Sequence, residues 1–297
     1  MGIFAERSHR IIEVQECKIQ NLKCQKIAND IYKFLKENNI SGYDEKSGHG
    51  LVRHIIVRIG LKTNEIMVIL VLNDFEFPKE TEFLDYLISN NSEIKTVVKN
   101  LNNKNTNVIL GSQIQIIYGN GYIFDYIGSK KFKISSHSFF QVNPIQTEKL
   151  YNKAIEYASL TGRETVFDLY CGIGTIGICA SDKVKNLYGI EVIEDAVRDA
   201  RENANLNNVK NAKFFLGKAE EILPNLIKNS NVIPDVVFVD PPRKGCDNVL
   251  IQTLLKIKPQ KIVYISCNPS TLARDLKILN QKYEIKKLAI CDMFPRD

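Results

Sequence analysis

Val236-Val-Phe-Val-Asp-Pro-Pro-Arg-Lys-Gly245 and its echo, Lys261-Ile-Val-Tyr-Ile-Ser-Cys-Asn-Pro269, decide the fold of this chain. Each is a short apolar, β-branched run that reads as a buried strand and then breaks into proline and polar residues. Asp240 and Cys267 therefore stand at strand carboxyl ends, the edge of an open parallel sheet where ligands bind. One end offers a carboxylate and the other a thiol. Around these two stretches, everything after Ser135 alternates strand and helix. A helix starts at Asn143-Pro144 and runs to Ala158. After it come Thr165 to Asp168, Ile176 to Ser181, Asn186 to Glu191, Ile193 to Asn207, Ala212 to Leu216, Val249 to Ile257 and Ser270 to Leu279. That alternation predicts an α/β domain over 135–297 with a doubly wound, Rossmann-like parallel sheet.

The preceding half, 1–134, reads differently. Apolar spacing through Ile27, Ile31, Phe34 and Leu35 predicts a surface helix. Leu51 to Gly60 and Glu65 to Leu72 read as a hairpin turning at Lys62-Thr-Asn64, with a helix to follow near Glu82 to Ile88. Between Ile94 and Ile134 several short β-rich runs are broken by Asn102 to Asn107 and by Gly119-Asn-Gly121, the latter a hairpin signal. The expectation is an α+β, mostly antiparallel domain. Arg53, Arg58, Lys130, Lys131 and Lys133 suit either a phosphate-facing surface or the charged edges that keep strands from pairing with other chains.

With 297 residues, 44% of them hydrophobic and 25% charged, the chain can bury one or two cores, which excludes a disordered class. Charge appears at once in Met1-Gly-Ile-Phe-Ala-Glu-Arg7, and the longest apolar run, Ile66 to Leu72, is too short for a bilayer. A cytoplasmic monomer without a membrane partner is expected. A net charge of +6 is ordinary for a Lys-rich soluble protein and leaves nucleic acid binding to the motifs. Seven cysteines without a C-x-x-C pair argue against a disulfide framework and against a closed zinc site, so no metal is expected. Cys179 reads as core packing.

Strand Thr165 to Asp168 runs into Leu-Tyr-Cys-Gly172-Ile-Gly174-Thr-Ile-Gly177. The glycines let the backbone approach a ligand, and the helix after them offers free N–H groups. As G-x-G-x-x-G the turn suits a dinucleotide, with Glu191 about 20 residues on as the ribose-binding acid. The spacing Asp168-x-x-x-Gly172-x-Gly174 and the Asp240-Pro-Pro after the fourth strand are similar to Rossmann-like methyltransferases that use S-adenosylmethionine, where the first acid helps orient the methionine end. Glu191 suits two neighbouring ribose hydroxyls, or it caps the helix at Ile193.

Cys267 stands just before Asn268-Pro269, a good N-cap followed by a proline suited to the first helical position. The positive helix end contributes about 0.3–1 kcal/mol toward a thiolate. A free thiol near pKa 8.5 is only a few per cent ionised at neutral pH, so neighbours or substrate must add to this (about one pKa unit is 1.4 kcal/mol). A thiolate is what methylation at a uracil carbon needs, because addition at C6 turns C5 into a nucleophile. Cys171 and Cys246 are weaker candidates. Cys246 would suggest cytosine C5 chemistry, but that class carries its cysteine beside the proline of the fourth-strand motif, where this chain has Asp240.

Five ordered motifs carry a resemblance over essentially the whole chain. They are Ser138-Phe-Phe-Gln-Val-Asn-Pro144, Asp168-Leu-Tyr-Cys-Gly-Ile-Gly-Thr175, Asp240-Pro-Pro-Arg-Lys-Gly245, Ser266-Cys-Asn-Pro-Ser-Thr-Leu-Ala-Arg-Asp275 and Asp292-Met-Phe-Pro295. Together they resemble the RNA uracil-C5 methyltransferases that use S-adenosylmethionine, especially the bacterial 23S rRNA branch. The resemblance implies Cys267 as nucleophile, Gln141, Tyr170, Glu191 and Asp240 lining the cofactor site with Asp168, Gly172 and Gly174, and Phe139 beside the target base. A core position is the other reading of Phe139.

The family usually opens with a small RNA-binding barrel and, in many members, iron–sulfur ligands, of which Cys17 matches the last; a cluster is not expected here. It continues past Met-Phe-Pro to a glutamate general base, before which Arg296-Asp297 ends this sequence. The expectation is a chain that binds S-adenosylmethionine and RNA and forms the covalent adduct but turns over poorly. The alternatives are a non-catalytic RNA-binding remnant and an amino-group methyltransferase using Asp240-Pro-Pro; Arg243 stands where the latter class has a stacking aromatic.

Overall fold

In a computed structural model, residues 2–5, 8, 10–14, 16–105, 107–230 and 232–294 are described. Two compact units divide the chain after Asp125. In the first, β1 (Gly2–Phe4) and β2 (Ile11–Glu13) pair antiparallel. Helix α1 (Leu22–Glu37) starts at Asn21, whose side chain accepts the Lys23 N–H, and buries Ile27, Ile31, Phe34 and Leu35. Next come β3 (Val52–Ile59), β4 (Ile66–Leu72), α2 (Glu80–Asn90), β5 (Ile94–Leu101) and β6 (Gln113–Gly119). The sheet order is β3-β4-β5-β6, antiparallel at both ends and parallel between β4 and β5. Alternate residues of β4 (Ile66, Val68, Leu70, Leu72) share one core with Ile27 and Ile31 of α1 and Phe83 and Leu87 of α2. This is the period-two side of a strand meeting the apolar stripe of two helices.

The hairpin expected at Gly119-Asn-Gly121 is not there. Strand β7 (Tyr122–Ile127) pairs with β8 (Lys130–Ser135) and not with β6. The turn that makes a hairpin is Gly128-Ser129, with Gly128 at φ 59°. The earlier glycines answer to β5 instead: a Cβ on Gly119 would lie 1.9 Å from the Lys95 carbonyl. Thr96 Oγ1 donates to the Tyr118 carbonyl (2.7 Å) and accepts the Gly121 N–H (2.8 Å). Close approach to a neighbouring strand consumed the glycine pair that otherwise signals a two-residue turn.

The second unit contains α3 (Pro144–Ala158), β9 (Thr165–Leu169), α4 (Thr175–Ala180), β10 (Asn186–Glu191), α5 (Glu194–Leu206) and β11 (Ala212–Leu216). It continues through α6 (Ala219–Ser230), β12 (Val236–Val239), α7 (Asn248–Ile257), β13 (Lys261–Tyr264) and α8 (Pro269–Leu279). All pairings are parallel, in the order β11-β10-β9-β12-β13. Val236 and Phe238 of β12 join a core with Ala154, Ile178 and Val197, whereas Val237 and Val239 join one with Leu223, Leu254 and Leu279. The sheet is thus covered on both faces, which explains its uninterrupted apolar strands.

Strand β8 is fastened to α5: Lys131 and Lys133 donate their N–H groups to the side chains of Asn207 and Asn203. For this reason the division after Asp125 precedes the change of sequence character at Ser135. Among the described residues no helix is long and apolar enough to cross a membrane.

Candidate active site

Strand order reverses between β10 and β12 on either side of β9, the switch point at which an α/β sheet opens a crevice along its carboxyl edge. Asp168 and Glu191 lie in β9 and β10, Asp240 directly follows β12, and Cys267 stands three residues past the end of β13. Beyond β9 the chain coils through left-handed backbone at Tyr170 (φ 63°), Gly172 (φ 53°) and Gly174 (φ 81°). For Tyr170 this conformation costs on the order of 1–3 kcal/mol, the kind of strain that collects at functional sites. A Cβ on Gly172 would meet nothing within 4 Å, so the glycine answers to the backbone turn and leaves open space above it.

Three carboxylates gather near this turn, with the charges of Asp240 and Glu191 both acting on Asp168. Asp168 is 1% exposed. Its Oδ2 accepts the Gly177 N–H at 2.9 Å, and its Oδ1 has no partner among the described residues. Burial pushes Asp168 up to about 7 against the pull of that N–H, with the charges of Asp240 and Glu191 adding to the rise. Burial also lifts Asp240 to about 6. Glu191 Oε2 accepts the Gly172 N–H (3.0 Å), while Oε1 accepts those of Val192 and Ile193 (2.8 and 2.9 Å). The same acid therefore holds the glycine turn and the two residues that lead into α5.

The expected supply of free helical N–H groups is smaller than the sequence suggests, since α4 has six residues and Gly177 is engaged by Asp168. Tyr151 of α3, which no motif marks, reaches this region with its hydroxyl 3.1 Å from Thr175 Oγ1. Burial raises its pKa.

At the next strand end, the Ile265 N–H donates to the Val239 carbonyl, extending the β12–β13 pairing to Ile265, two residues before Cys267. Cys267 itself is exposed. Asn268 caps α8 by accepting the Ser270 N–H, with Pro269 in the first turn as its sequence requires. The loop Asp240–Cys246 is tied to α8 through groups far apart in sequence. Asp275 Oδ2 accepts the Cys246 N–H (2.8 Å) and the Tyr264 hydroxyl (2.7 Å), and Oδ1 accepts Arg274 Nε (2.8 Å). Asp275 is fully buried. Its role was invisible in the motif that contains it because its partners are backbone and a strand tyrosine. Cys246 and Cys171 are buried thiols, Cys246 pushed up to about 12 and Cys171 well above the ordinary value, which suits packing and not nucleophilic attack. Cys179 is also pushed up to about 12 by burial.

Phe139 is 71% exposed, so its reading as a core aromatic is wrong. It follows a fastened turn: the hydroxyls of Ser135 and Ser138 both donate to Asp199 Oδ2, a carboxylate of α5 that is 1% exposed. Gln141 is half-buried, two residues before Asn143, which caps α3 by accepting the Gln146 N–H and donates to the Met293 carbonyl. Pro295 of the last motif, Arg296 and Asp297 lie outside the described residues.

Of the five cations of the sequence reading, Arg53, Lys130 and Lys133 have partners within their own units. Arg53 donates to the carbonyls of Asn102 and Lys104 and sits 4.2 Å over the Tyr43 ring. Arg58 is largely desolvated, which lowers its pKa. Lys130 is bonded to Asp182 and Lys133 to Glu202. Among the described residues no group of three His, Cys, Asp or Glu side chains is arranged to hold a metal.

A parallel sheet with a glycine turn after its central strand, an acid closing the next and Asp-Pro-Pro after the strand on the other side defines a Rossmann-like methyltransferase fold. Comparison with known proteins gives the family. Residues 91–297 match the family described as tRNA (Uracil-5-)-methyltransferase, and the chain belongs to it. An uncharacterized RNA methyltransferase of Clostridium acetobutylicum is 48% identical over 296 residues, 99% of this chain and 64% of that protein. One from Staphylococcus aureus is 45% identical over 296 residues, covering 100% of this chain and 65% of its own length. The chain thus spans a little under two thirds of these relatives. Among solved structures, the tRNA (uracil-54, C5)-methyltransferase of Pyrococcus abyssi in complex with S-adenosyl-L-homocysteine superposes with a TM-score of 0.80 at 31% identity, over 98% of this chain and 69% of that one.

Proposed function

We propose that this chain methylates C5 of a uridine in RNA, using S-adenosylmethionine and a covalent adduct at Cys267. The observation that carries the reading is the tying of the Cys267 loop to the Asp240-Pro-Pro loop, one strand away from a buried Asp168 whose Oδ1 has no donor among the described residues. A buried carboxylate oxygen without a partner among the described residues, on the strand that runs into the glycine turn, fits an ammonium-bearing ligand. Asp168 would hold the methionine end and Glu191 the ribose hydroxyls, whose donors find lone pairs left on its two oxygens. Gln141, Tyr170, Gly172, Gly174 and Asp240 would complete the cofactor site. When bound, S-adenosylmethionine supplies a methyl group on a positively charged sulfur.

Cys267, as thiolate, adds to C6 of the uracil and loads electron density onto C5. Once C5 carries the methyl group, loss of its proton to a base restores the C5–C6 double bond as the Cys267–C6 bond breaks and frees the thiolate. Phe139, exposed on its fastened turn, is placed in this proposal against the target base, which must leave its stack to be reached.

The test is incubation with S-adenosylmethionine and either 23S rRNA or tRNA, since the sequence resemblance points to the former and the solved relative is named for the latter. The expected result is 5-methyluridine or a denaturant-resistant protein–RNA complex, with Cys267→Ala giving neither. Methylation that survives Cys267→Ala would point to amino-group chemistry. Binding of both ligands without product or adduct would leave an RNA-binding remnant.

A further inference from the structure

The loop between Asp240 and Cys246 is turned inside out. Both the Arg243 and the Lys244 carbonyls face α8: Asn268 Nδ2 and Thr271 Oγ1 each donate to the first at 3.1 Å, and Arg274 Nη2 donates to the second at 2.9 Å. Arg274 reaches the Cys246 carbonyl as well, at 3.3 Å. Gly245 lets the chain turn under this clamp. At φ 79° its missing Cβ would lie 2.5 Å from Arg274 Nη2 and 2.7 Å from Asp275 Oδ2.

While the main chain is held inward, the side chains of Arg243 and Lys244 are exposed and have no hydrogen bond or ion pair among the described residues. The neighbouring acids are committed elsewhere. Asp247 caps α7 by accepting the Val249 N–H, and Asp275 is buried against Arg274. Of the three cations in this cluster, Arg274 is spent on the fold and two are left uncompensated. Asn268, which grips the Arg243 carbonyl, is the residue next to Cys267.

From this geometry we infer that Arg243 and Lys244 are a phosphate-binding pair for the RNA backbone flanking the nucleotide that meets Cys267. The inference rests on the proposed reading of Cys267. A base turned out of its stack leaves its two flanking phosphates close to the protein surface at that point, and each phosphate takes up a cation by releasing a counterion. Arg offers two parallel N–H donors to one phosphate and Lys a mobile point charge to another. Such contacts position the strand without reading its sequence, so the pair serves any uridine the rest of the protein selects.

The experiment is equilibrium binding of a short RNA stem-loop with uridines in its loop, measured across a salt series. Arg243→Gln and Lys244→Gln are compared with wild type and with Arg163→Gln, an exposed arginine before the amino end of β9. Each of the first two is expected to lower the slope of log K against log salt by about 0.7, the share of one single-strand phosphate contact, and Arg163→Gln to leave it unchanged. S-adenosylhomocysteine affinity should be equal in all four proteins. Slopes equal to wild type overturn the inference, as does an equal drop in Arg163→Gln or a loss of S-adenosylhomocysteine affinity, which would mean a collapsed loop. If the wild type shows the phosphate slopes but no Cys267 adduct, the adduct reading falls and the phosphate pair stands.

Discussion

Asp168 keeps one carboxylate oxygen on Gly177 and the other, buried, without a donor among the described residues. That arrangement has a pH signature. Because its pKa rises from 3.8 to about 7 on folding, the folded protein holds a proton across this window that the unfolded chain has lost. Stability of the unliganded protein therefore falls as pH rises from about 4 to about 7. Asp240 adds to the same fall up to about 6, so the informative quantity is the difference between wild type and Asp168→Asn. The variant keeps an acceptor for Gly177 and removes the charge. It is expected to flatten the pH profile and to stabilise the unliganded protein by roughly 1–3 kcal/mol at pH 8 in urea unfolding. S-adenosylhomocysteine affinity should drop about tenfold to a hundredfold, the worth of a charged hydrogen bond. A profile in Asp168→Asn that parallels wild type would show that Asp168 does not carry the pH dependence.

Elements hold the site through contacts of very different visibility. Helix α1 was readable to the residue, because Ile27, Ile31, Phe34 and Leu35 repeat at the helical period and all four are buried. The doubly wound sheet was readable for the same kind of reason: strands buried on both faces have no polar alternation to confuse them. Gly119-Asn-Gly121 misled, since a glycine that tolerates a turn and a glycine that admits a neighbouring carbonyl look alike in sequence. The Tyr264–Asp275–Cys246 linkage was not readable at all, joining residues 11 and 29 positions apart through one carboxylate.

That linkage makes its own prediction. Asp275→Ala leaves the Cys246 N–H, the Tyr264 hydroxyl and part of the Arg274 charge without their acceptor. With the arginine half in solvent, the loss should be about 2–4 kcal/mol in chemical unfolding. Because the variant loosens the loops after β12 and β13 and not the glycine turn after β9, Cys267 adduct formation should slow more than S-adenosylhomocysteine affinity falls. Equal losses in both would assign Asp275 to general stability alone.

At the scale of the molecule, the two units have separate cores. One is built around β4 with α1 and α2, and the other is split into two layers on either face of the parallel sheet. Every residue proposed to hold the cofactor, from Gln141 to Asp240, lies in the second unit. Ligand that binds only the folded form stabilises by mass action, about 2.7 kcal/mol at a hundred times its Kd, and the gain reaches only amides whose opening destroys the site. Hydrogen exchange with and without S-adenosylhomocysteine should therefore slow most in β9, in the turn from Tyr170 to Gly174 and at the end of β10. In that turn the Gly172 N–H is already held by Glu191, so ordering Glu191 against a ribose orders the turn with it. Slowing centred on β3 to β6 would place the ligand on the other unit and contradict the cofactor site assigned to the β9–β12 edge.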